Sequence, residues 1–235
     1  MINFEKKKIN KIFLGGKSIS KVFKGNKLVY QMLPNEYQEV EYIESTGTQY
    51  IDTGIYPYKT TEKLVFSYTD LTVGSVKRFT ALYDSGESPT VRYYGVEITT
   101  DGNFKVFTYD AVNQYKLATP DTNKHTLLFN DNNNKVFFDG VEKAQNSKFD
   151  LPRQATLTLP IFRTTTRSET TNLTSRIAGR LYNLKLWDKS NNNELIRDFI
   201  PCYRKSDGEI GLYDIVNNVF YTNDGTGVFL KGGDV

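Results

Sequence analysis

No stretch of the chain keeps apolar residues on one side at helical spacing, and nothing else constrains the fold as much. What recurs is a short apolar–polar alternation closed by Gly, Asn or Asp. Leu64, Phe66 and Tyr68 fall on one face of a strand, and Lys63, Val65 and Ser67 on the other, because successive side chains point to opposite sides of a strand. Asp101-Gly102-Asn103 separates residues 96–99 from 104–109. The Asn-rich run 130–134 separates 125–129 from 135–140, and Asp139-Gly140 marks another turn. Further strands are expected at 39–43, 155–162, 180–187, 209–216 and 219–223. Short strands with turn residues about every ten positions predict an all-β, antiparallel sandwich or barrel.

Composition agrees. Aromatic residues make up 14% of the chain, nearly all Tyr and Phe, and these favour strands. At 235 residues and 38% hydrophobic content, one large β domain with a small attachment is affordable. Cys202 is the only cysteine, so no internal disulfide forms. The N-terminus is charged without an apolar core of the signal-peptide kind, so the chain is expected to fold in a reducing cytoplasm. No run of about twenty apolar residues is present, and no membrane insertion is expected.

The N-terminal segment repeats itself. Residues 9–17 read INKIFLGGK and residues 19–27 read ISKVFKGNK. Gly15-Gly16 and Gly25-Asn26 are two-residue loops able to take positive φ, as tight hairpins demand. Three short strands ending at 28–31 are expected, too few to hold a core alone. Charge also divides here. The first 31 residues carry eight Lys against one Glu, and the remainder 22 basic against 26 acidic side chains. Segments of opposite sign suggest modules with different partners. Residues 1–32 are therefore expected to form an attachment segment, and 35–235 the main domain. Basic residues in the segment alternate with core-forming Ile, Val and Phe, which suits protein docking better than nucleic acid.

Three further stretches carry a resemblance. LPNEYQEVEYIESTGTQYIDTGI (33–55) and GLYDIVNNVFYTNDGTGVF (211–229) resemble the opening and close of a domain found in tail-associated and other virion proteins of bacteriophages. KHTLLFNDNNNKVFFDGVEKA (124–144) resembles the central hairpin of laminin-G-like and pentraxin-like domains. The N-terminal repeat is similar to short β segments of phage tail proteins. The resemblance implies a virion component built on a concanavalin A-like jelly-roll. Other virion proteins are expected as partners through 1–32, and a homo-oligomer is the default for such assemblies; a host cell-surface glycan is the expected ligand, which the resemblance does not by itself imply.

Glu39, Glu41 and Glu44 approach the strand motif of concanavalin-like glucanases, in which acids at i and i+2 share a face roughly 6–7 Å apart. Here the spacing is E-x-E-x-x-E, so Glu44 joins that face only through a bulge. A solvated acidic strand face with Val40 and Tyr42 buried behind it is the simpler expectation, and no catalytic activity is expected. With one His and one Cys, a zinc site lacks ligands, and His125 is expected to be structural. Calcium suits the oxygen-rich hairpins, with Asp131, Asn132, Asn134 and Asp139 on one and Asp101 and Asn103 on another. For a glycan, aromatic rings stack on sugar faces. If Tyr182, Leu184 and Leu186 face the core, Trp187 and Asn183 face outward. Tyr93 and Tyr94, beside Gly95, form a second candidate. The alternatives are a structural decoration without a ligand and a glycoside hydrolase using Glu39 and Glu41.

Overall fold

The computed structural model describes residues 12–14, 17–19, 21–25, 27–31, 33–72, 76–84, 92–100, 102–108, 114–166 and 177–235. The N-terminal repeat forms two hairpins, β1 (Ile12–Leu14) with β2 (Lys17–Ile19), and β3 (Lys21–Lys24) with β4 (Lys27–Gln31). Gly25, in the second expected loop, takes a left-handed φ of 62°, while Gly15, Gly16 and Asn26 lie outside the described residues. The strand expected between the loops is two strands, so the described residues of the segment hold four strands where three are expected.

Then follow β5 (Tyr37–Glu39), β6 (Ile43–Thr46), β7 (Ile51–Asp52), β8 (Thr60–Tyr68), β9 (Lys77–Asp84), β10 (Arg92–Ile98), β11 (Phe104–Thr108) and β12 (Gln114–Ala118). The second half adds β13 (His125–Phe129), β14 (Lys135–Phe138), β15 (Val141–Gln145), β16 (Pro160–Ile161), β17 (Arg163–Thr166) and β18 (Ala178–Asp188). It ends with β19 (Glu194–Arg204), β20 (Ile210–Asp214), β21 (Val219–Tyr221) and β22 (Leu230–Lys231). Among the described residues the one helical element is a 3-10 turn at Ser147–Phe149.

The chain is an antiparallel β-sandwich. Among the described residues the larger sheet has 11 strands and runs β15-β14-β13-β8-β18-β19-β20-β21, with β5, β6 and β22 added beside β18 and β19. The smaller runs β12-β11-β10-β9-β17, and only its β17–β9 pair is parallel. Between the sheets lies one core. Leu64 and Phe66 of β8, Leu184 and Leu186 of β18 and Phe199 of β19 meet Phe79 of β9, Tyr94 and Val96 of β10 and Phe104 of β11. The Phe66 ring lies 5.0 Å from Phe79 and 5.5 Å from Phe104, joining the two layers. Removing such a side chain from water stabilises the fold by about 1.5–3 kcal/mol. Close approach matters at Gly95, where a Cβ would meet the Thr80 carbonyl oxygen at 2.4 Å.

A carboxyl group is sealed inside this core. Glu62 is fully buried and accepts hydrogen bonds from Thr80 Oγ1 (2.9 Å) and Tyr94 OH (3.2 Å). Burial pushes its pKa up to about 7, against the pull of those two bonds.

Two expected strands differ. Residues 39–43 are not one strand, because β5 ends at Glu39 and β6 begins at Ile43. In 155–162 only Pro160 and Ile161 are paired as a strand. Leu151, Ala155 and Leu159 instead send single backbone N–H groups to Tyr58, Pro57 and Ile55. Their apolar residues still reach the core, which is why the sequence alternates there without a ladder.

A smaller cluster sits beside the main core. Cys202, Tyr213 and Ile215 pack with Leu33, Tyr37, Ile200 and Phe220. Tyr37 lies 4.8 Å from Tyr213 and 4.9 Å from Phe220, which anchors the chain where it enters the sandwich. Burial pushes the Cys202 thiol up to about 12.

Candidate functional site

The site forms where the larger sheet forks. Along Leu184–Asp188, β18 pairs with β19, but along Ala178–Leu181 it pairs with β6. The far end of β19, Cys202–Arg204, turns to β5 instead. The bend between β5 and β6 fills the opening. Val40 is buried there and its N–H donates to the Pro201 carbonyl at 3.0 Å. The C-terminal stretch after β22 holds the other edge of the bend within the same sheet, since Glu41 N–H donates to the Gly233 carbonyl and Gly232 N–H to the Tyr42 carbonyl.

Over this fork lies an open pocket of about 590 Å³, lined by Glu39, Glu41, Tyr42, Lys124, Arg180 and Tyr182 among others. Its geometry depends on an irregularity in β18. The register against β8 shifts between Leu181 and Asn183. Leu181, Leu184 and Leu186 all face the core as a result, and Arg180 and Tyr182 are left half-buried. The expected grouping of Tyr182 with Leu184 and Leu186 fails for that reason: a one-residue bulge exchanges the faces on either side of it.

The Tyr42 and Tyr182 rings meet edge-on, 5.4 Å apart. Each has a cation over it. Lys124 Nζ lies 4.1 Å from the Tyr182 centroid, and the Arg180 guanidinium 4.5 Å from that of Tyr42. Arg180 is further held by Glu44, with Nε 2.6 Å from the carboxylate, and that hydrogen bond raises the arginine pKa against partial burial. Ser67 Oγ and Tyr182 OH are 3.4 Å apart. Rings, carboxylates and cations converging on an open depression can stack on an apolar face and bond polar groups at its rim.

The sequence candidates are dispersed. Trp187 lies on β18, half-buried on the face away from the core, five residues from Tyr182 and so roughly 16 Å along the strand. Asn183 is already engaged, donating to the Phe199 carbonyl at 2.9 Å. Tyr94 is a core residue with no exposure, and its hydroxyl serves Glu62, so it offers no platform. Tyr93 belongs to β10 in the other sheet, and its side chain lies outside the described residues.

The calcium set does not converge. Asp131 and Asn134 lie at one end of β14 and Asp139 at the other, and the four residues between span roughly 13 Å. Asp131 Oδ1 accepts from the N–H groups of Asn133 and Lys135. Asn134 donates to Asn130, while Asn132 is exposed on the turn. Asp139 accepts from Thr126 N–H and contacts His125 Nδ1 at 2.8 Å. Asp101 lies outside the described residues, and Asn103 closes a turn with Thr99. Among the described residues no three acidic, His or Cys side chains group as metal ligands.

His125 is structural, as expected. Its two nitrogens face Asp139 and Asp121 at 2.8 and 2.9 Å, and its ring packs 4.7 Å from Phe138. Burial disfavours the charged ring, but the two carboxylates outweigh it and hold the pKa above the ordinary value.

Of the three acids, Glu39 and Glu41 line the pocket, and Glu44 is committed to Arg180. Alternation predicts a buried face for Tyr42, but the break after Val40 turns it into the pocket. Lys124 and Arg180 carried no signal, because only the pairing of distant strands brings them together.

No family model matches the chain, and no curated protein matches it. Among solved structures it is similar to the CBM40 domain of a Ruminococcus gnavus IT-sialidase, at 13% identity and TM-score 0.44, over 64% of this chain and 90% of that one. The same domain bound to α2,3-sialyllactose gives 14% identity and TM-score 0.41, over 66% and 90%. A Bacteroides ovatus protein described as a candidate carbohydrate-binding protein gives 12% identity and TM-score 0.49, over 93% and 67%. Likeness at this level assigns no function.

Proposed function

We propose that the pocket over the sheet fork binds a glycan, and that the chain is a non-catalytic virion protein presenting that pocket to a host cell surface. The observation that carries the binding reading is the pair of tyrosine rings meeting edge-on in an open pocket rimmed by carboxylates and cations. Aromatic faces with a few convergent polar groups suit a sugar, which has apolar faces and a hydroxyl rim. The resemblance of residues 33–55 and 211–229 to virion domains supports the placement on a particle. On this reading residues 1–32 attach the chain to other virion proteins or to a sister chain. Many copies would multiply a weak single-site affinity, and a symmetric homo-oligomer is the simplest arrangement. On this reading calcium plays no part in binding, and the carboxylates considered for it, Asp131 and Asp139, are not in the pocket lining.

Glycan-array profiling of the full chain tests the reading. A defined set of ligands should bind, with at least tenfold loss in Tyr182→Ala and no change on chelating calcium. A blank array would leave the decoration reading in place. A hydrolase reading has one supporting observation, that Glu39 and Glu41 line the same pocket. It requires release of reducing sugar from wall polysaccharide, abolished by Glu41→Gln; binding without release supports the adhesin.

A further inference from the structure

Away from the pocket, the ends of β13 and β18 meet in a network of a lysine, an asparagine and an aspartate. We infer that Lys189 and Asn130 join there through an amide bond between their side chains, formed by the folded chain itself with Asp150 carrying the proton. None of these residues lines the pocket, so the inference stands apart from the glycan reading.

Asn130 follows β13 and Lys189 follows β18, and β8 runs between those strands. Lys189 Nζ lies 2.9 Å from Asn130 Oδ1. With a C=O bond of about 1.23 Å, the amine is within about 4 Å of the amide carbon. Asp150 Oδ1 accepts from both partners, from Lys189 Nζ at 2.8 Å and from Asn130 Nδ2 at 2.9 Å. The orientation of the Asn130 amide is fixed by its neighbours. Nδ2 also donates to the Thr60 and Phe149 carbonyls, and Oδ1 accepts from Asn134 Nδ2 at 3.1 Å. Water is largely kept out: Asn130 has no exposure, and the side chains of Lys189 and Asp150 are 8% and 23% exposed. Asn130 and Asp150 each follow a buried phenylalanine, and the rings of Phe129 and Phe149 meet edge-on 5.4 Å apart.

Burial alone would raise the Asp150 carboxyl, but hydrogen bonds from Lys189 and Asn130 outweigh it and hold its pKa below the ordinary value, so the pair rests as ions. Reaction starts when a proton crosses from Nζ to Asp150 Oδ1 along their hydrogen bond. The freed Nζ lone pair forms a bond to the Asn130 amide carbon, and the carbonyl electron pair moves onto Oδ1, where Asn134 Nδ2 already donates. Asp150 passes its proton to Nδ2, the carbon–Nδ2 bond breaks, and ammonia leaves. Asp150 then takes a proton from Nζ and returns it to the departing ammonia, which goes as ammonium. Nothing is oxidised or reduced, and no outside reactant enters. An unactivated amide is a poor electrophile in solution, but groups held in contact by a fold react at a very high effective concentration. The product would tie the ends of β13 and β18 across β8, joining residues 59 positions apart.

Mass spectrometry of the full chain, purified and held folded for several days, tests this. The intact mass should fall below the sequence mass by one ammonia. Trypsin should no longer cut after Lys189, and the digest should contain a branched peptide joining residues 125–135 to 186–197. Asp150→Asn keeps the side-chain shape and Lys189→Arg keeps the charge; each should show the full mass, with circular dichroism checking the fold. A wild-type chain at full mass, with residues 125–135 and 186–189 released as separate peptides, would overturn the inference without need of any variant. So would a deficit of one ammonia that maps to a ring closure within a single peptide, or one that persists in Lys189→Arg. A cross-link that forms undiminished in Asp150→Asn would overturn the role given to Asp150.

Discussion

The two faces of β18 make the sharpest contrast in the molecule. One face gives Leu181, Leu184 and Leu186 to a sealed core, each with no exposure. The other gives Arg180 and Tyr182 to an open pocket and Trp187 to a half-buried surface. The leucines pack among core rings that cover one another. On the outer face the Tyr182 ring is covered by a cation. Interiors are close-packed and respond to every lost atom, whereas a solvated ring and its cation separate at little cost. A single strand thus divides stability from recognition, and changes on each side should be felt in different measurements.

The largest effect should come from the inner face. Phe66→Ala removes the ring joining the two sheets and should cost about 3–5 kcal/mol in chemical denaturation. A loss below about 1 kcal/mol would mean that the layers are not held together there.

Glu62 sharpens the contrast through pH. Its carboxyl holds a proton in the fold up to about 7, against 4.5 unperturbed. A raised folded pKa gives stability that is full below the unfolded value and lost as pH rises through the folded one. Wild type should therefore be less stable at pH 8 than at pH 4.5, by on the order of 3 kcal/mol from this group. Glu62→Gln should remove that slope. Parallel stability–pH curves for the two proteins would contradict the sealed carboxyl.

A third effect is smaller. His125 has a raised pKa because Asp139 and Asp121 hold its charged form. Its contribution is full below about 6.5 and fades as pH rises through the raised value. His125→Gln should cost roughly 0.5–1 kcal/mol at pH 5.5 and less at pH 9. Histidine resonances followed by NMR would locate the transition; a midpoint below 6.5 would contradict the pairing.

The smallest change in stability belongs to the outer face. Tyr182→Ala should shift the unfolding free energy by less than about 1 kcal/mol while removing glycan binding. If it destabilises the chain as much as Phe66→Ala, the division between the faces is wrong.

The core face of β8 was legible in the sequence, because local rules decide it. Leu64, Phe66 and Tyr68 share one face by alternation and all three lie in the core, and Asp139-Gly140 turns with φ of 50° and 78°. The pocket was not legible. It needs the fork that brings Tyr42 beside Tyr182, 140 positions apart, and the bulge that reverses parity within β18. Alternation says which residues share a face, but not which face closes. Tyr94 shows the same limit: next to a glycine it read as a ligand platform, and it is instead the buried donor to Glu62.

Cys202 has a practical consequence. It is fully buried beneath Tyr37 and Tyr213, with a thiol pKa near 12, so alkylating reagents find almost no thiolate while that corner stays shut. As the only sulfhydryl in the chain, it is a native reporter. The rate at which iodoacetamide labels it clocks how often the entry to the sandwich opens, with no engineered probe needed.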